Sequence, residues 1–181
     1  MDELTRLALA AQDGDPAAFA EFIRLVQPQV WRLCRHLSDH DSAADCTQET
    51  FLRAYRSLSS FAGRSSARTW LFTIARRVCA DHLRARRRSS SWTRSVDDAA
   101  PDPAEGLALY WLLDGLDDER RSAFVCTQLL GLSYAETAMI CDVPVGTIRS
   151  RVARARGQLI EALDEGDDRN DLGGRSSLTR H

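Results

Sequence analysis

The chain has 181 residues, with 24 basic and 26 acidic side chains and a net charge of −2; every basic residue is an arginine. At 44% hydrophobic and 28% charged it has the composition of a globular protein of one or two domains. No apolar run approaches the ~18 residues a membrane span needs. The acidic start Met1-Asp2-Glu3 does not resemble a secretory leader, so a cytoplasmic protein with no membrane insertion is expected. Its cysteines (34, 46, 79, 126, 141) are expected to be reduced thiols, and they form no C-x-x-C pair.

Helical periodicity begins at Leu4–Ala11 and stops at Asp13-Gly14. Asp15-Pro16 restarts it, with Asp as N-cap and Pro in the first turn. Phe19, Phe22, Ile23 and Val26 follow at helical spacing; Pro28 is expected to break or kink the helix before Val30–Leu37. A third helix starts at Asp41 or Ser42, with Ala44, Phe51, Leu52 and Tyr55 as its expected buried side. A Ser/Gly-rich loop, 57–66, leads to a long helix over 67–88. The stretch 89–106 is polar and carries Pro101 and Pro103; residues 95–106 are taken as a flexible acidic linker. Helices resume over 107–165, and residues 166–181 are expected to be a disordered tail. No strand alternation is present. The fold class is therefore all-α: two small helical domains, 1–94 and 107–165, joined by the linker.

The near-zero charge is an average over blocks. Arg53–Arg94 holds eleven arginines and one acid, and Arg149–Arg156 four arginines and no acid. Asp97–Arg120 holds eight acids and one arginine, and Glu161–Asp171 six acids and one arginine. Two basic blocks with acidic spacers suggest two polyanion-binding elements.

On the long helix, Leu71, Ile74, Ala75, Val78 and His82 share the core arc. Arg76, Arg77, Arg84, Arg87 and Arg88 fall opposite, edged by Trp70, with Arg86 apart from them. Guanidiniums beside an indole suit a melted strand, holding phosphates and stacking an unpaired base. Further on, Ser133-Tyr134-Ala135-Glu136 is a capping box, followed by a short helix and the turn Asp142-Val143-Pro144. The next helix buries Ile148, Val152, Ala155, Leu159 and Leu163, and directs Ser150 and Arg154 outward with Arg149 and Arg151 on the flanks. This is helix-turn-helix anatomy, whose second helix enters the major groove.

Three runs resemble one family. Asp45-Cys46-Thr47-Gln48-Glu49-Thr50-Phe51-Leu52-Arg53-Ala54-Tyr55 resembles the D-x-x-Q-E-x-F-x-R-A signature of bacterial sigma factors. Residues 67–76 resemble their promoter-melting segment, and residues 145–156 their recognition helix. Two domains and a short linker resemble the extracytoplasmic-function (ECF) branch of the sigma-70 family, its actinobacterial sigma C type in particular. The resemblance implies a factor that binds core RNA polymerase, through its β′ and β subunits, and directs promoter-specific initiation. Asp45, Gln48 and Glu49 would dock on the β′ subunit. Trp70, Arg76, Arg77, Arg84, Arg87 and Arg88 would melt and hold the −10 element. Thr147, Arg149, Ser150, Arg151 and Arg154 would read the −35 duplex. Arg77 stands where many relatives carry Asn, which bears on −10 preference. An anti-sigma factor is a common partner in this family.

No enzyme, cofactor or metal is expected: His36, His40, His82 and His181 form no catalytic or ligand constellation with the carboxylates. An autonomous helix-turn-helix regulator is the alternative. It would need a dimer surface or ligand pocket, and a stable dimer binding a palindrome alone would favour it.

Overall fold

A computed structural model describes residues 1–89 and 106–174, all helix and connecting turns. The chain forms α1 (Glu3–Gln12), α2 (Pro16–Leu37), α3 (Ala43–Ser57), α4 (Ala67–Ser89), α5 (Gly106–Asp114), α6 (Asp118–Phe124), α7 (Tyr134–Cys141) and α8 (Val145–Gly174). Except for Gly106, the linker expected over 95–106 lies outside the described residues.

Caps fix the helix starts. Asp2 accepts from the Thr5 N–H at 2.9 Å, and Asp15 from Ala17 and Ala18 at 2.9 and 3.1 Å. Pro28 does not end α2, which runs unbroken to Leu37. Pro28 and Arg24 are both exposed, so water can satisfy the Arg24 carbonyl that the proline ring leaves without its N–H partner.

α2 and α4 supply most of the N-terminal core, with Phe22, Val26, Val30, Leu33 and Leu37 against Leu71, Ala75 and Val78. The buried face of α3 is only in part the expected one: Phe51 packs half-buried against the core, but the rest of the face has turned. Ala43, Cys46, Thr47, Thr50 and Ala54 are buried, whereas Ala44 is exposed and Leu52 and Tyr55 are 42% and 64% exposed. Two threonines can face the core because each hydroxyl donates to a carbonyl one turn back, Thr47 to Ala43 at 2.7 Å and Thr50 to Cys46 at 2.6 Å. All five cysteines are free and buried.

The C-terminal unit wraps α6, α7 and α8 around Ala123, Ala138, Cys141, Ile148 and Val152. A π-helical turn, Val125–Leu129, follows α6. α8 continues through Gly174, beyond the point where a disordered tail was expected. Extending an existing helix fixes one residue per added hydrogen bond and needs no new nucleus. Leu163, expected to be buried, is 56% exposed because the globular body ends before it.

The two units are not independent here. Leu113, Leu116, Val125, Cys126, Leu132, Ile140 and Ala155 join the same apolar cluster as the N-terminal core. α7 packs on α4, and the π turn packs on α2. Arg68 pairs with Glu136 at 3.1 Å and Arg87 with Asp118 at 3.0 Å. Arg121, 5% exposed, donates from Nε to the His36 carbonyl at 2.7 Å and pairs through Nη1 with Asp114 at 3.2 Å. A cavity of about 50 Å³ remains in this seam, between Leu37, Arg76, Cys79 and Leu83 on one side and Asp118 and Arg121 on the other.

Candidate nucleic-acid interface

α4 carries the first basic face. Its start is held by Ser66, whose Oγ accepts from the Thr69 N–H at 3.1 Å. Arg77, Arg84, Arg87 and Arg88 are exposed on its outer side. Arg84 pairs with Asp81 at 2.5 Å and Arg87 pairs across the seam with Asp118. Asp81 also receives Arg53 at 2.9 Å, and these two arginines hold its carboxyl below the usual carboxylate range. Trp70 is half-buried and packs on Phe61, with ring centroids 5.0 Å apart, so only part of the indole is offered to a ligand.

Arg76 departs from the expected outer face. It lines the seam cavity, its Nε is buried with no hydrogen-bond partner, and its charge acts on Cys126 and Cys141 of the other unit. Arg68, Phe72, Arg76, Cys79 and Leu83 recur at three- and four-residue steps, so they form one stripe, and that stripe meets the C-terminal unit. Helical periodicity gives α4 a single core arc, whereas the folded chain buries two of its faces. Arg86, apart from the other arginines as expected, pairs with Asp39 at 2.8 Å.

α8 carries the second basic face. The capping box before α7 is complete: the Ser133 Oγ accepts from the Glu136 N–H at 3.1 Å, and the Ser133 N–H donates to Glu136 Oε2 at 2.9 Å. Burial alone would raise the Glu136 carboxyl, but the Ser133 bonds and the Arg68 charge outweigh it and hold it below the usual range. Asp142 closes α7 in the left-handed region, φ 55°, and turns the chain into Pro144 and α8. Ile148, Val152 and Ala155 are buried, which sends Arg149, Ser150 and Arg154 to solvent with Thr147 half-buried in the first turn. Ser150 Oγ donates to the Thr147 carbonyl at 2.9 Å. Arg151 is drawn away from the expected outer set. Only 14% of its side chain is exposed, and it is ion-paired with Glu119 of α6. It adjoins buried Val152, so a distant carboxylate decides its direction.

α3 forms a third surface. Asp45 and Gln48 are exposed; Glu49 is half-buried and bonded to Arg53 Nε at 2.7 Å. Leu52 and Tyr55 extend this face one and two turns beyond Gln48, with Phe19 against the Tyr55 ring at a centroid distance of 5.3 Å. The arrangement is an apolar platform with an acidic edge. The sequence signal for it was present, since a helix cannot bury Leu52 while its neighbours at Gln48 and Asp45 stay in water.

Among the described residues no cluster of three His, Cys, Asp or Glu could hold a metal ion, and no helix is long and apolar enough to cross a membrane.

The family comparisons coincide with these elements. The sigma-70 region 2 family matches residues 22–89, and the sigma-70 region 4 family matches residues 107–159. The chain is 45% identical over 174 residues to the ECF RNA polymerase sigma factor SigC of Mycobacterium tuberculosis, covering 92% of this chain and 94% of the relative. It is 34% identical to the ECF RNA polymerase sigma-E factor of Escherichia coli, over 84% of this chain and 88% of the relative. Among solved structures, CnrH in complex with the cytosolic domain of CnrY superimposes with a TM-score of 0.73 at 25% identity, covering 91% of this chain and 99% of that one. RpoE in complex with the anti-sigma factor NepR, from Bartonella quintana, superimposes with a TM-score of 0.70 at 31% identity, covering 81% and 96%. With regions 2 and 4 in order and ECF relatives aligned along nearly the whole chain, this protein belongs to the ECF branch of the sigma-70 family, non-enzymatic factors that bind RNA polymerase and direct promoter-specific initiation.

Proposed function

We propose that the three faces divide the work of initiation. The α3 face (Asp45, Gln48 and Glu49, with Leu52 and Tyr55 as its apolar centre) docks on the β′ subunit of core polymerase. Burying two exposed apolar side chains supplies affinity there, and the acidic edge sets orientation. Arg77, Arg84, Arg87 and Arg88 hold the phosphates of the melted −10 strand, and the free side of Trp70 edges it. Arg149, Ser150 and Arg154, with Thr147, read the −35 duplex, where arginine bonds guanine through two parallel hydrogen bonds. The factor works in the cytoplasm, with polymerase and the chromosome.

One observation carries the mechanism: both basic faces belong to a body closed by the Arg68–Glu136 and Arg87–Asp118 pairs. Elements at −10 and −35 lie about 25 base pairs apart, or roughly 85 Å at 3.4 Å per pair. A compact chain of this length is about 40 Å across, and even α8, its longest element at 30 residues, spans only about 45 Å. The closed body therefore cannot span both elements. The seam separates on polymerase, releasing Arg76 and freeing Arg87 from Asp118, while the linker spans the gap. RpoE of Bartonella quintana crystallises in complex with the anti-sigma factor NepR; a partner of that class would act on this chain by favouring a closed arrangement.

Run-off transcription with core polymerase tests the assignment. The factor should direct initiation from a defined promoter, and Gln48→Ala/Glu49→Ala should weaken core binding without loss of helicity. Equal products with and without the factor would overturn the reading.

A further inference from the structure

A third cationic surface is left unused by promoter recognition. Trp31 on α2 is 41% exposed, and the Arg35 guanidinium lies over its ring, 5.3 Å from the centroid. Arg32 donates from Nη2 to the Leu129 carbonyl at 3.2 Å. Arg156 of α8 reaches the neighbouring residue, donating from Nη2 to Gln128 Oε1 at 2.5 Å. Residues 128 and 129 thus bring together arginines from both units. The π turn makes this possible: the Leu130 N–H bonds the Val125 carbonyl five residues back, and the chain leaves the helix before Leu129 finds a partner of its own.

Arg32, Arg35 and Arg156 bond no carboxylate among the described residues. His36 senses the same field. Burial lowers its pKa first, and the charges of Arg35, Arg32 and Arg121 lower it further. Uncompensated guanidiniums drawn from two helices suit a polyanion. Arg32 and Arg156 meet separate acceptors, Leu129 and Gln128, which fits successive phosphates better than a single phosphate group. The indole–guanidinium stack adds a flat face for an unpaired base, and a duplex keeps its base faces hidden.

We propose that this seam surface binds single-stranded nucleic acid in the closed factor, with Trp31 and Arg35 stacking a base and Arg32, Arg35 and Arg156 holding the backbone. Arg32 and Arg156 belong to different units, so the bound strand bridges the seam and selects the closed form. Single-stranded nucleic acid thereby opposes engagement of polymerase.

The test uses the full chain without polymerase and a fluorescein-labelled oligothymidylate of about 20 nucleotides, followed by anisotropy. Binding should weaken steeply with salt, and Arg35→Gln/Arg156→Gln and Trp31→Ala should each lose about tenfold or more in affinity. Arg84→Gln/Arg88→Gln, on the α4 face that is itself proposed to hold a single strand, should lose less than either seam variant. Unlabelled duplex and thymidine monophosphate should compete at least about tenfold less well than the single strand. Run-off transcription by Arg35→Gln, whose side chain lies on α2 away from both promoter-reading faces, should stay within about twofold of the parent. The proposal is overturned if the free factor does not bind the strand at low salt, or if only the α4 variant loses binding. Equal competition by duplex or mononucleotide also overturns it, as does unchanged affinity in Trp31→Ala.

Discussion

Phe72→Ala should open the factor. Phe72 is fully buried, one turn from Arg68 and one from Arg76, both of which meet the C-terminal unit. Its ring therefore belongs to the seam stripe of α4. A buried aromatic covers about 150–250 Å², worth roughly 4–6 kcal/mol at 25 cal/mol per Å². Residual structure in the separated state and the methyl left by alanine reduce this to about 3–5 kcal/mol, in the range of measured Phe→Ala losses. If most of that loss falls on the seam, the closed-to-open ratio drops by roughly 10²–10³. Small-angle scattering should then show a larger radius of gyration with helicity retained. Apparent affinity for core polymerase should rise, because the competent form no longer has to be drawn from a minor population. An unchanged radius and unchanged core affinity would refute the reasoning. So would loss of the N-terminal helices on substitution, which would put Phe72 in that unit's own core.

Other substitutions probe single contacts. Arg154→Ala should cost about 1–3 kcal/mol at −35 bases in binding by the holoenzyme, whereas Arg151→Ala should leave base preference unchanged because that guanidinium faces Glu119. Asp142→Gly removes a side chain from the left-handed region and should raise stability by about 0.5–1 kcal/mol, read as a higher urea midpoint. Glu136 is held below its ordinary pKa in the folded chain, so its contribution is complete above the unfolded value of about 4.3 and is lost as pH falls through the folded value. The stability difference between the parent and Glu136→Gln should shrink on acidification through that window; a difference independent of pH would contradict the pairing.

Local rules located the helices well. Asp15-Pro16 and the Ser133 capping box act within four residues, and the chain places α2 and α7 where they indicate. What one helix cannot reveal is how many neighbours it will have. Ala44, Leu52 and Tyr55 look like a core stripe until Thr47 and Thr50 satisfy their hydroxyls on their own backbone and take the inside. α4 looks like one apolar arc and one basic arc until α7 covers the Arg68–Phe72–Arg76 stripe. Arg151 looks outward until Glu119, 32 residues away, claims it. The differences in α4 and at Arg151 come from partners distant in sequence and the one in α3 from local hydroxyl bonds that hydropathy does not register, whereas the runs that match sigma-70 regions 2 and 4 are contiguous and could be read directly.

The five buried thiols acquire a meaning from the seam. Cys79 borders the seam cavity, and Cys126, whose pKa burial pushes up, lies in the joint apolar cluster. While the units are closed, no electrophile or oxidant can reach these sulfurs. Once they part, Cys126 loses the cover of α4 and the Arg76 charge that acts on it across the seam, whereas Cys79 keeps the Cys34 and Cys46 sulfurs beside it inside the N-terminal unit. Alkylation of Cys126 should therefore run faster in the open form than in the closed one, a covalent readout of how far the units have separated.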